Sequence, residues 1–350
     1  MGALFRINKN ATLPGALNSG ALVLGAEAIG VMTNNHQFLL DEALNTVPRV
    51  FGLCDREPAS RTHGCCDRAY WHYRQTDFAN ARFQESGLLF AHAFVDTSPG
   101  NQFSGKPRLL DWIEAVWSFW LDRRSRDGTV AEAYPNERSF CATAFTAAGF
   151  IQTVLLLREA RDWTRSLGRV RTTMQWLAKH QNPEVPNQMA GAYLALAGYH
   201  ALVGSAESQT WAQQKRDAIV ALADDDGIFN EYGGFDSGYQ SLTMSTLASA
   251  HDITGEDEDI AAILDRANAT MRDRLTTDKG FEPAANSRQT QYLYPSGLIG
   301  DDAFVPETVI PEIERGATLR PSWMDDRYCI ALATDYFRAA QRLQELAGTG

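Results

Sequence analysis

Tyr232, Asp236 and Tyr239 fall within DDDGIFNEYGGFDSGYQSLTMS, residues 224–245, where four glycines and four aromatics stand between an acidic run and a polar helix start. Such a loop is either a tight inter-helix turn whose tyrosines cap a core or the wall of a cleft for a ligand with both apolar faces and hydroxyls, as a saccharide has. Tyr70, Trp71, Tyr232 and Tyr292 are candidate stacking platforms and, equally, candidate core aromatics. His72, between Trp71 and Tyr73, is a candidate base because imidazole titrates near neutrality. Asn187 and Gln188, opening NQMAGAYLALAGYH, offer neutral donors, and Arg68, Arg138 and Arg288 offer positive charge. Loop carboxylates are plentiful: Asp67, Glu85, Glu132, Glu137, Glu231, Asp236, Asp325 and Asp326. Two of these, suitably spaced, would serve as general acid and base. The same residues also have plain structural uses. Asn187 is a favoured helix cap after Pro186, Tyr239 and His72 are reasonable core residues, and Arg68 has Asp67 and Glu85 within reach as ion-pair partners.

Helical periodicity dominates the chain around these loops. PRLLDWIEAVWSFWLDRRS places Leu110, Ile113, Val116 and Trp117, then Trp120 and Leu121, on one stripe. SFCATAFTAAGFIQTVLLLREA is apolar nearly all round, as a buried inner helix must be. NQMAGAYLALAGYHALVG is a second of that kind, with Ala190, Gly191, Ala195, Ala197 and Gly198 permitting close packing. Charged amphipathic helices such as SQTWAQQKRDAIVALADD and DEDIAAILDRANATMRDRLTT lie between them. The alternation predicts eleven or twelve helices in an all-α fold, an incomplete (α/α) toroid of five to six helical hairpins. No linker divides the chain, so a single domain over residues 1–350 is expected. LPGALNSGALVLGAEAIGVM, interrupted by Asn18, Glu27 and glycines, reads as a first helix rather than a signal segment. DGTVAEAYPNERSFCATAF (127–145) and DGIFNEYGGFDSGYQSLTM (226–244) share a scheme of Asp-Gly, a Glu five residues after the Asp, an aromatic and a polar helix start. DKGFEPAANSRQTQYLYPSG (278–297) is a looser third copy. Such recurrence predicts stacked hairpins whose loops gather on one rim.

The 350 residues are 44% apolar and 21% charged, the composition of a globular chain. A net charge of −11 and the absence of any Lys/Arg block exclude non-specific nucleic-acid or membrane-surface binding as the expected role. No GxSxG, GxxxxGK[ST] or GxGxxG occurs, which removes serine-nucleophile, P-loop and dinucleotide readings. Five cysteines, with Cys65 and Cys66 adjacent, show neither CxxC nor zinc spacing. They are expected as free thiols in a reducing compartment, and with no clear signal peptide the expected location is cytoplasmic. No metal, cofactor or membrane span is expected.

Together GCCDRAYWHYRQTDFANARFQE, EAYPNERSFCATAF, EYGGFDSGYQSL and NSRQTQYLYPSG resemble the heparinase II/III-like group, in particular members associated with bacterial polysaccharide loci. The resemblance runs from about Val47 to Gly297. It implies an (α/α) toroid, usually followed by a β-sandwich domain that this chain is expected to lack. In the well-known lyases that domain supplies a catalytic His and closes the cleft, so a second copy of this chain or a partner chain would have to close it here. The implied activity is β-elimination on a uronic-acid-containing polysaccharide, with an oligo- or polysaccharide as the partner bound. An Asn at the start of an inner helix then neutralises the uronate carboxylate and a Tyr on a later loop acts as base, acid or both. Asn187 and Tyr239, 52 residues apart, occupy those places. Gln188 and Arg68 or Arg288 would assist neutralisation, and a nearby cation would depress the Tyr239 pKa. Two alternatives stand beside this one. An inverting glycoside hydrolase would use rim carboxylates such as Glu137 and Asp236, and a non-catalytic carbohydrate-binding protein of a polysaccharide assembly system would keep only the platforms.

Overall fold

The computed structural model describes residues 26–255, 257–275, 281–300 and 304–348. The segment expected as a first helix over 13–32 lies outside the described residues up to position 25. Among the described residues twelve α-helices occur and no strand does, apart from one isolated bridge between Glu231 and Gly234. They are α1 (Ala26–Leu53), α2 (Arg68–Trp71), α3 (Ser86–Val95), α4 (Pro107–Arg123), α5 (Phe140–Leu157), α6 (Thr164–Lys179), α7 (Pro186–Val203), α8 (Ala206–Val220), α9 (Ser237–Thr254), α10 (Glu258–Leu275), α11 (Ile310–Glu314) and α12 (Tyr328–Gly348). The described chain forms two compact units, one of residues 46–182 and 191–216, the other of residues 26–45, 183–190 and 217–348. The division falls within α1, within α7 and within α8.

In the first unit the expected stripe of α4 is buried: Ile113, Val116, Trp117 and Trp120 are all at or near zero exposure. The two indoles stand edge to face, 5.9 Å apart, and each donates its N–H into α5, Trp117 to Thr153 Oγ1 at 3.1 Å and Trp120 to Thr146 Oγ1 at 2.9 Å. A buried Trp is favourable only when its N–H finds such a partner. Gly87 lets α3 lie directly against Trp117, since a Cβ there would fall inside the indole. Ser139 caps α5 by accepting from the Ala142 N–H at 3.0 Å. Helix α5 is the one described helix long and apolar enough to cross a bilayer, but it is buried against α3 and α6 as a core helix.

In the second unit α9 packs on α10, and a short 3-10 turn, Pro295–Leu298, packs against both α9 and α12. That turn is anchored by Asp335 of α12, a fully buried carboxylate accepting from the hydroxyls of Ser245 and Ser296 and from the Ser296 N–H at 3.0 Å. Gly297 is required there, because any Cβ would collide with the α9 backbone at Ser245. The first two copies of the internal echo do lead into α5 and α9. The third, beginning in part outside the described residues, leads only to this 3-10 turn, because Pro295 starts a segment pinned by Asp335 rather than a free helix.

Candidate functional site

The chemistry-bearing residues of the second unit sit on two loops locked together. Asp224 opens the first, its Oδ1 accepting from the N–H groups of Asp226 (3.1 Å) and Ile228 (2.8 Å). Gln240, buried in α9, holds the loop from beneath by accepting from Phe229 N–H and donating to Gly227 O. Glu231 and Gly234 then close a two-residue turn whose central residues, Tyr232 and Gly233, both have positive φ, 51° and 84°. A tyrosine at that φ is strained, and strain of this kind collects where geometry must be exact. Asp236 joins the loops. Its Oδ1 caps α9 through Gly238 N–H and Tyr239 N–H and accepts from the Thr290 hydroxyl, while Oδ2 accepts from Arg288 N–H at 3.1 Å and Thr290 N–H at 3.4 Å. Asn286 reinforces the junction by accepting from both N–H and hydroxyl of Ser237 at 3.0 Å.

This framework brings together Asn187, Tyr232, Tyr239, Arg288 and Tyr292 with Glu231. The Glu231 side chain is 1% exposed and receives the Asn187 amide on both oxygens, at 2.6 and 2.8 Å. Burial pushes its carboxyl up to about 7, against the lowering effect of Asn187 and Arg288. Arg288 lies with its guanidinium 4.3 Å above the Tyr232 ring and has no carboxylate within ion-pair distance among the described residues. Tyr239 is half-buried, 6.2 Å from the Tyr232 ring. Burial and the neighbouring Tyr328 and Tyr232 push its phenol up to about 12, with Arg288 pulling the other way. Tyr292 is buried in an aromatic cluster, 5.8 Å from both Tyr294 and Tyr328, and its phenol is also raised by burial. Gln188 is half-buried one residue beyond Asn187.

Several expectations change here. Asn187 does not cap α7; its amide is committed to Glu231. The Tyr239 phenol is raised, not depressed, because loss of water outweighs the cation that the sequence correctly places beside it. Asp236 is fully engaged by the two loops, and Tyr292 packs inside them, so neither is open to a ligand in the way expected. Glu231 was visible in sequence only as one rim acid among eight; its pairing with Asn187 is a tertiary contact across 44 residues. Tyr328 carried no sequence signal.

The remaining candidates belong to the first unit. Asp67 caps α2 and also accepts from Asn80 N–H at 2.8 Å. Arg68 makes no ion pair with Asp67 or Glu85 among the described residues; its guanidinium lies 5.0 Å over the exposed Tyr73 ring. Trp71 is fixed by its N–H to Leu53 O at 2.7 Å, and His72 is exposed, edge-on between Trp71 and Tyr73. His72 is therefore no core histidine. Tyr70 rests near Phe119 and beneath Arg123. Glu137 folds back to accept from the N–H groups of Glu132, Ala133 and Tyr134, a turn-closing use, and Arg138 is exposed and paired with Asp127 at 3.1 Å. Among the described residues no group of three or more His, Cys, Asp or Glu could hold a metal ion.

No protein-family model matches the chain, and no curated protein matches it. A solved structure of chondroitin AC lyase from Streptomyces coelicolor A3, in complex with chondroitin sulphate, is similar to it with a TM-score of 0.53 at 12% identity. The similarity covers 95% of this chain and 47% of that one, so the chain spans about half the length of the structure it resembles. The fold is of the (α/α) toroid class. At this identity the likeness carries the fold alone, and the chemistry rests on the residues of the two loops. There a carboxyl that titrates near neutrality can take a proton, a neutral phenol can give one, and an unpaired guanidinium can hold an anion.

Proposed function

We propose that this chain cleaves a uronic-acid-containing polysaccharide by β-elimination. The observation that supports it best is the pairing, beside the unpaired Arg288, of a carboxyl at about 7 with a phenol at about 12. Burial raises both groups, and near neutrality the carboxyl can take a proton while the phenol still holds one to give. The uronate carboxylate docks on Arg288, whose charge stabilises the carbanion-like state formed when the C5 proton leaves. Glu231, ionised at and above neutrality and oriented by Asn187, takes that proton, a step that requires its 1%-exposed carboxyl to be uncovered as the substrate enters. Tyr239, a phenol at any physiological pH, protonates O4 as the C4–O4 bond breaks, leaving a C4=C5 double bond. Tyr232 serves Arg288 as a rigid platform. A place in the heparinase II/III-like group, and a bacterial exopolysaccharide as substrate, are the narrower readings that the sequence motifs favour.

The inverting-hydrolase alternative needs two available carboxylates. Asp236, the natural partner for Glu231 in this unit, already accepts five hydrogen bonds, which favours elimination. Incubation with a panel of uronic-acid polysaccharides, followed by ultraviolet absorbance and by reducing-end assay, separates the readings. A lyase yields both signals, because the product is a conjugated unsaturated uronate. New reducing ends without absorbance would sink the lyase in favour of the hydrolase, and binding without either signal would leave a carbohydrate-binding protein.

A further inference from the structure

Cys54 and Cys66 stand at the neck of a loop whose backbone brings them side by side. Asp55 N–H donates to Cys65 O and Gly64 N–H donates to Asp55 O, both at 2.8 Å, so the two ends of the loop run as a paired stem. The Asp55 carboxylate gathers the interior, accepting from Glu57 N–H and from the hydroxyls of Ser60 and Thr62. Gln84, itself buried, clamps the outgoing segment: its Oε1 accepts from Cys66 N–H at 2.8 Å and its amide donates to Gly64 O and Val116 O at 2.9 Å. Within this frame the Cys54 and Cys66 sulfurs are 2.7 Å apart. Non-bonded heavy atoms in contact sit about 3.5–4.0 Å apart and a disulfide is about 2.05 Å long, so the two free thiols stand inside ordinary contact and short of a bond. Cys65, adjacent in sequence, turns its thiol toward Asp67 O instead, Cys141 lies against Arg82, and Cys329 lies against Asp326 O. One pairing is selected from an odd set of five.

We propose that Cys54 and Cys66 are a disulfide-forming pair, closed during folding by exchange with a disulfide donor, and that the bond staples the α2 aromatic segment to the end of α1. In the first step a protein thiolate attacks the donor, here glutathione disulfide, breaking its S–S bond and releasing one glutathione thiolate. The second protein thiolate then attacks the mixed disulfide and releases the other. Two protein thiols lose two protons and two electrons, and one glutathione disulfide becomes two glutathione molecules. Closure belongs to folding because both side chains are at most 5% exposed once the unit has formed. Cys66 is followed directly by Asp67, the cap of α2, so the link fixes the start of the segment that carries Arg68, Tyr70, Trp71 and His72.

Refolding the full chain in a glutathione redox buffer, then acid quench, denaturation and alkylation, tests this by mass. Three of the five cysteines should alkylate without reductant, and digestion should yield a single cross-linked pair joining positions 54 and 66. The oxidised protein should unfold several degrees above the reduced one. Cys65→Ser should keep the cross-link and Cys66→Ser should abolish it. Five alkylated cysteines, or a cross-link through Cys65, Cys141 or Cys329, would overturn the proposal. The wild-type thiol count decides the matter even where a variant fails to fold.

Discussion

Burial moves Glu231 and Tyr239 upward from different starting values, and in the proposed elimination the division of proton work between them follows from where each stops. A carboxyl at about 7 gives an ascending limb in kcat/KM that levels above neutrality, while the phenol stays protonated across the whole range. Tyr239→Phe removes one hydroxyl and keeps the ring, so turnover should fall by about 10² to 10⁴ with the thermal midpoint nearly unchanged. Retained activity in that variant would remove the acid from the mechanism. Asn187→Ala tests the amide. Its two hydrogen bonds hold the Glu231 carboxylate in its charged form, so their loss should move the ascending limb to higher pH. If Asn187 instead neutralised the uronate carboxylate, KM would rise and the limb would stay in place.

At the scale of the element, the site depends on two loops that are far apart in sequence and share one carboxylate. Asp236→Asn would turn one Asp236 oxygen into an amide donor facing donors already present at Arg288 and Thr290 or in the first turn of α9. The cost should be about 2 kcal/mol in the unfolding of this unit, with KM raised as Arg288 shifts. A hydrolase in which Asp236 did chemistry would show the opposite, dead turnover at full stability. What the sequence could reveal divides along the same line. The stripe of α4, the cap of α5 and the place of Tyr239 in the first turn of α9 follow from local spacing, which periodicity reports directly. Asn187 and Arg288 were visible because each stands at a junction between loop and helix or turn. The Asn187–Glu231 pair, the saturation of Asp236 and the raised phenol were not visible, because each depends on partners distant in sequence: 44 residues for Asn187 and Glu231, 54 for Asp236 and Thr290, and Tyr328 of a later helix for Tyr239.

For the whole molecule, buried ionisable groups set how stability responds to pH. Lys215 is 1% exposed, donates to His180 O at 2.5 Å at the end of α6, and is pushed by burial from 10.5 down to about 8. Between those values the unfolded chain binds more protons than the folded one at this position, so stability rises with pH over that window. Glu231 acts in the opposite sense lower down. Its folded value lies above the ordinary 4.5, so its contribution is present at acid pH and is lost as pH rises through about 7. Lys215→Met should therefore abolish the rise in thermal midpoint between about pH 8 and 10 while leaving the behaviour below pH 7 unaltered, as a melt series across pH would show. An unchanged alkaline slope would mean that the lysine reaches water in the folded state.

The turn at Tyr232 carries a consequence for how such a protein would change over generations. A left-handed φ of 51° suits Gly or Asn and burdens tyrosine, so replacement there should make the chain hardier while leaving Arg288 without its platform. A lineage selected for endurance alone would shed this ring early. One selected for turnover would keep it against a standing disadvantage.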